Sequence, residues 1–175
     1  LTDRRVIAVA THALVPGDLD GLTQPALALS APEATGEAED GLLTMGEIMT
    51  LNLDADWVVL SACDTGSGLE AGAEAVSGLG RAFFYAGSRA LLVSLWPVET
   101  SSARLLTTGI FARQQHDSQL GRAQALQSSI VALIDSPGLV DSGTGRVAAS
   151  YAHPLFWAPF IVYGEGASEG RPAAQ

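Results

Sequence analysis

Trp57-Val58-Val59-Leu60-Ser61-Ala62-Cys63-Asp64-Thr65-Gly66 is an apolar run that ends on a thiol and breaks into a turn. A short stretch rich in bulky and β-branched residues, closed by glycine-rich sequence, has the pattern of a buried strand. Cys63 stands at its carboxyl end. His12 lies 51 residues upstream, close behind a second run of the same kind, Val6-Ile7-Ala8-Val9-Ala10, with the turn residues Val15-Pro16-Gly17-Asp18 following.

A thiolate is a strong nucleophile, and an imidazole beside it can take its proton and later protonate a leaving amine. A Cys and a His about 50 residues apart, both at strand ends, have the spacing of caspase-type cysteine proteases. Each residue also has a plain structural reading: free cysteines are often small apolar filler, and a single histidine at a strand end often serves packing. The pair at this spacing brings the functional reading level with the structural one.

The rest of the chain alternates strand-like and helix-like segments. Ala26-Leu27-Ala28-Leu29-Ser30 reads as a short strand, and residues 32–41 as an exposed acidic loop. Thr44 followed by Glu47 is a capping box, which predicts a helix ending near Leu51. Residues 62–75 form a glycine-rich loop. They lack the pattern of a phosphate cradle, and the nine basic residues are all arginine, so no phosphate-binding lysine exists. Leu79, Ala82, Phe83 and Ala86 recur at helical spacing, with Gly87 suited to the helix end. Ala90 to Leu95 is the next strand, stopped by Pro97. A helix capped by Ser101 or Ser102 runs to about Gln114 with Leu105, Leu106, Ile110 and Phe111 inward. A second, over 119–134, buries Ala123, Leu126, Ile130 and Leu133. Residues 135–147 are turn-rich, and Phe156 to Tyr163 is the last strand. The order implies an α/β fold with a mainly parallel sheet and helices on both faces. Sites in such sheets form beyond the carboxyl ends of the strands.

A chain of 175 residues with 47% hydrophobic and 16% charged residues suffices for one cored domain. Net charge of −10, with scattered arginines, argues against nucleic acid as a partner. One cysteine forms no internal disulfide, and the reading is cytoplasmic. No apolar run reaches the ~18 residues needed to span a membrane. The start at Leu1, without methionine or a basic-then-apolar leader, reads as a piece of a longer protein. No 34-residue repeat is present within it. Three scattered histidines have no zinc-ligand spacing, and neither metal nor organic cofactor is expected. His153, before Pro154, reads as a packed strand entry and His116 as an exposed helix end. Phe83, Phe84, Trp96 and Trp157 are most simply core.

Four blocks carry a family resemblance: Val58 to Gly66; Val76-Ser77-Gly78-Leu79-Gly80-Arg81-Ala82-Phe83-Phe84-Tyr85-Ala86-Gly87-Ser88; Val93-Ser94-Leu95-Trp96-Pro97-Val98; and His153-Pro154-Leu155-Phe156-Trp157-Ala158-Pro159-Phe160. In sequence and order they resemble the CHAT family, caspase-like domains often found with TPR repeats. The match covers most of residues 5–164. The resemblance implies a caspase-like three-layer sandwich over 1–164, as the carboxyl-terminal portion of that domain. After Gly164 the composition turns small and polar, which reads as a disordered tail over 165–175. It implies a cysteine endopeptidase with His12 and Cys63 as catalytic dyad, the backbone amides of Ala13 and Cys63 as oxyanion hole, and a protein or peptide substrate. Asp64, Trp96 and Glu99 are candidates for the substrate pocket, an acid there suiting a basic residue. The family usually has glycine after the histidine, where Ala13 stands, and Gly-Glu-Gly where Ala73-Glu74-Ala75 stands. These departures support the alternative of an inactive caspase-like scaffold within a larger multidomain protein.

Overall fold

The computed structural model of the chain describes residues 4–30, 40–60 and 78–167. Two units divide it at Pro97 and Val98. In the first, strands β1 (Val6–Val9) and β5 (Trp57–Leu60) pair in parallel, and β5 pairs in parallel with β6 (Ala90–Ser94). All nine residues of β5 and β6 are buried. This is why both read as continuous apolar runs: a strand covered on both faces shows no alternation. Together with the helices below, these strands make an α/β fold of the caspase-like kind.

Between β1 and β5 the chain builds a small antiparallel sheet in the order β2 (Ala13–Leu14), β3 (Ala26–Ala28), β4 (Leu42–Thr44). Helix α1 (Met45–Thr50) follows at once. Its capping box forms as the sequence predicts: the Thr44 hydroxyl accepts the Glu47 N–H, and Glu47 Oε2 accepts the Thr44 N–H at 2.7 Å. The Met45 and Gly46 N–H groups, two further orphan donors of the first turn, donate to the Pro25 carbonyl and to Gln24 Oε1, both at 2.9 Å.

Residues 78–85 form helix α2. Leu79, Ala82 and Phe83 on it, and Ala86 just beyond, are buried, as their spacing predicts. Phe84 is exposed, so it is not core. The helix ends in a Schellman motif: the Ser88 N–H donates to the Phe83 carbonyl and the Gly87 N–H to the Phe84 carbonyl, both at 3.0 Å. Gly87 has φ +106°, and a Cβ there would stand 2.0 Å from the Leu53 carbonyl oxygen. At the amino ends of β5 and β6, Asp56 is 8% exposed. Its carboxylate meets Arg5 at 2.6 Å and Arg89 at 3.7 Å.

The second unit holds helices α3 (Thr100–His116) and α4 (Arg122–Ile134). They pack on one another, and the buried residues are Ser102, Leu106 and Ile110 of α3 and Arg122, Ala125, Leu126, Ser129 and Leu133 of α4. Gly109 admits the close approach, since a Cβ there would lie 3.3 Å from Ser129 Oγ. Several expectations need correction here. Leu105 is 41% exposed, because the buried stripe on α3 runs through Ser102, Leu106 and Ile110, and Ala123 is exposed, because that on α4 runs through Arg122, Ala125, Leu126, Ser129 and Leu133. The buried Arg122 turns its guanidinium onto the Glu165 and Ala167 carbonyls at 3.2 and 3.3 Å, while the Ala123 N–H donates to the Gly166 carbonyl at 3.0 Å.

The turn-rich region after α4 contains a hairpin, β7 (Leu139–Val140) with β8 (Val147–Ala149). Its strands are too short to show a period. Strand β9 (Phe160–Gly164) begins later than its sequence suggests, because Pro154–Phe156 form a single 3-10 turn. His153 caps that turn, its Nδ1 accepting the Leu155 N–H at 3.2 Å, and is exposed rather than packed. His116 ends α3 exposed, as expected.

Candidate active site

β1 and β5 are neighbours, and their register is constant: Val6 faces Trp57, Ile7 faces Val58, Ala8 faces Val59 and Val9 faces Leu60. Parallel neighbours lie ~4.8 Å apart and run in the same direction. Their carboxyl ends therefore leave the sheet side by side. Beyond Val9 the chain passes through Ala10, Thr11 and His12 before entering β2.

His12 is exposed at this crossing. Its carbonyl accepts the Ala28 N–H at 2.9 Å, and the hydroxyl of the preceding Thr11 donates to the Ala28 carbonyl. Ala13 is 3% exposed and faces Leu27 across the antiparallel pair. Because His12 and Ala28 occupy a hydrogen-bonded position of the ladder, Ala13 and Leu27 occupy the alternate one, and the Ala13 N–H is directed away from β3. Ala13 lies in extended backbone, which an alanine adopts as readily as a glycine does.

Trp96 follows β6 and is 37% exposed, not core. Glu99 caps α3: Oε1 accepts the Ser101 N–H and Oε2 the Ser102 N–H, both at 2.7 Å. The sequence points to Ser101 or Ser102 as the cap, and the carboxylate one turn earlier takes the place instead. Partial burial works to raise the Glu99 pKa, but the hydrogen bonds from Ser101 and Ser102 outweigh it and hold the group below its ordinary value. Cys63, Asp64 and the Ala73-Glu74-Ala75 segment lie outside the described residues, as does most of the acidic loop. Among the described residues no group of three or more His, Cys, Asp or Glu side chains could hold a metal ion. Among them too, no helix is long and apolar enough to cross a membrane.

Parallel neighbours β1 and β5, with a histidine-bearing crossing beyond the carboxyl end of β1, belong to an α/β protein. The CHAT domain model matches residues 1–165, and the chain belongs to the CHAT domain family. It is also 29% identical over 133 residues, 76% of its length, to tetratricopeptide repeat protein 28 of both Mus musculus and Homo sapiens. The aligned stretch spans 5% of the length of those relatives.

Proposed function

We propose that this chain is a cysteine endopeptidase of the caspase-like type. The supporting observation is the β1/β5 register. Every paired residue differs from its partner by 51 positions, and Cys63 differs from His12 by the same number. Cys63 follows Leu60 by three residues just as His12 follows Val9 by three. In this reading the equal spacing brings the thiol and the imidazole to the same end of two adjacent strands, where a nucleophile and its base can meet.

In this reading Cys63 attacks the scissile carbonyl and His12 holds the thiol proton, then delivers it to the leaving amine. The outward N–H of Ala13 and that of Cys63 stabilise the oxyanion, a single such donor contributing ~3 kcal/mol to lowering the barrier. Trp96 supplies an exposed apolar wall for a peptide. Asp64 is the better acid for reading a basic substrate residue, because both Glu99 oxygens are engaged in capping. The chemistry needs no metal or organic cofactor. A reactive reduced thiol suits a reducing compartment such as the cytoplasm.

The relatives' name, and the small share of them that the alignment spans, favour TPR repeats elsewhere in the full-length protein. The same observation is what favours the rival reading, a silent domain that binds partners within a large chain. Cys63→Ala decides between the two. Peptide cleavage should disappear while stability stays within ~1–2 kcal/mol; cleavage that survives the substitution refutes the proposal. A thiol-directed probe separates the rival: a silent domain alkylates slowly near neutral pH, as an ordinary cysteine does.

A further inference from the structure

We propose that Thr11 is a positioning residue for His12. The inference rests on the dyad reading above and adds to it the device that holds the base. Between the end of β1 at Val9 and the start of β2 at Ala13 the chain crosses from one sheet to another. The crossing lies outside both strands, and His12 is exposed within it. One residue of β3 secures it from both sides. The Ala28 N–H donates to the His12 carbonyl at 2.9 Å, and the Ala28 carbonyl accepts the Thr11 hydroxyl. Two consecutive residues of the crossing are thereby tied to the donor and the acceptor of a single peptide neighbour.

The tie has a firm base. Ala28 belongs to the central strand of the β2-β3-β4 sheet, and Leu27 and Ala26 beside it are fully buried. The Thr11 hydroxyl does what a backbone donor does in a ladder, a substitution that short hydroxyl side chains make readily. The β-branched side chain is also stiff about its first torsion, so the bond constrains the backbone rather than a loose side chain. Removing the hydroxyl leaves the Ala28 carbonyl short of a donor and frees the residue before His12 to turn. A general base displaced by about 1 Å loses up to ~100-fold in rate.

The test compares wild type, Thr11→Val, Thr11→Ser and His12→Ala for the rate of Cys63 alkylation by iodoacetamide across pH 5–9, with peptide cleavage measured in parallel. Valine keeps the shape and loses the hydroxyl; serine keeps the hydroxyl. The expected result is that wild type and Thr11→Ser share a reactive limb on the acid side. His12→Ala should lose it, and Thr11→Val should lose most of it, with kcat ~10–100-fold lower and KM little changed. If wild type and His12→Ala give the same profile, the dyad itself fails and this inference falls with it. If those two differ but Thr11→Val follows wild type, the dyad stands and the Thr11 role is overturned. Circular dichroism checks each fold; should Thr11→Val fail to fold, Thr11→Ala takes its place with the same two outcomes.

Discussion

Replacing Gly87 with alanine tests the description of the α2 terminus most sharply. Two separate costs arise. A φ of +106° is a left-handed conformation, which a residue with a Cβ occupies at ~1–2 kcal/mol. The new methyl would also stand 2.0 Å from the Leu53 carbonyl oxygen, a backbone atom that cannot swing aside. Moving it disturbs the 2.6 Å bond from the Leu53 N–H to the Ala86 carbonyl, worth ~1 kcal/mol net, and forced overpacking adds ~1–3 kcal/mol. Reduced freedom of the unfolded chain returns ~0.4–1 kcal/mol. The net loss is ~2–6 kcal/mol, or ~4–22 °C in Tm for a chain of this size. Gly17→Ala is the control, since Gly17 has φ +102° and nothing within 4 Å of a Cβ. It carries the conformational cost alone, ~1 kcal/mol or less after the unfolded-state gain. Urea unfolding of both variants, followed by circular dichroism and tryptophan fluorescence, gives the difference directly. Losses that agree within ~0.5 kcal/mol would refute the steric argument and leave only the backbone angle.

Further expectations concern charge. Glu99→Ala should cost ~1 kcal/mol at neutral pH through loss of the α3 cap. Because the folded carboxyl titrates below its ordinary value, its stabilisation is complete above the unfolded value near 4.5 and is lost as pH falls through the folded one. The gap between wild type and variant should therefore close in acid, and a gap that persists at pH 2 would contradict the cap assignment. Tyr151 behaves in the opposite sense: burial and the nearby Glu99 carboxylate raise its pKa, with Arg104 opposing. The unfolded state then loses the phenolic proton first, so stability falls as pH rises past ~10. Tyr151→Phe should flatten that alkaline decline, as pH-jump unfolding reads out. At the amino edge of the parallel sheet, Asp56→Ala should cost ~1–3 kcal/mol, because a buried carboxylate between Arg5 and Arg89 is removed and the partners lose their anchor. Arg5→Ala should cost under ~1 kcal/mol, since that side chain is mostly exposed. Equal losses in thermal melts would contradict this ranking.

Strands β5 and β6 are legible because burial on both faces leaves a continuous apolar run at 57–60 and 90–94. β1 carries a similar run and reads as buried too, but Val6 and Ala8 are exposed, so the run marks the strand and not its covering. The Thr44/Glu47 cap was equally plain, since both partners lie within one turn. Elements decided by distant partners were not. Leu105 and Ala123 sit where helical spacing points inward, but the facing helix decides which stripe is covered. Glu99 reads as a pocket acid because the sequence does not reveal that its carboxylate accepts the Ser101 and Ser102 amides of α3. The 139–149 hairpin left no period in strands of two and three residues. For the proposed site, the sequence offers His12, Ala13 and Trp96 as candidates, and the adjacency of β1 and β5 adds what residue spacing alone lacks. Thr11 passed unnoticed, since its role depends on Ala28, seventeen positions away and on another strand.

The even β1/β5 pairing also sets rules for length. On the dyad reading proposed above, the three-residue steps from Val9 to His12 and from Leu60 to Cys63 act as matched spacers. On that reading, one residue added to either lengthens one step and not the other and puts the two out of phase. Residues inserted at the exposed Leu19–Gly21 bend shift neither step. Natural variation in chain length, and any engineered graft, should accumulate in that bend and be purged from the spacers.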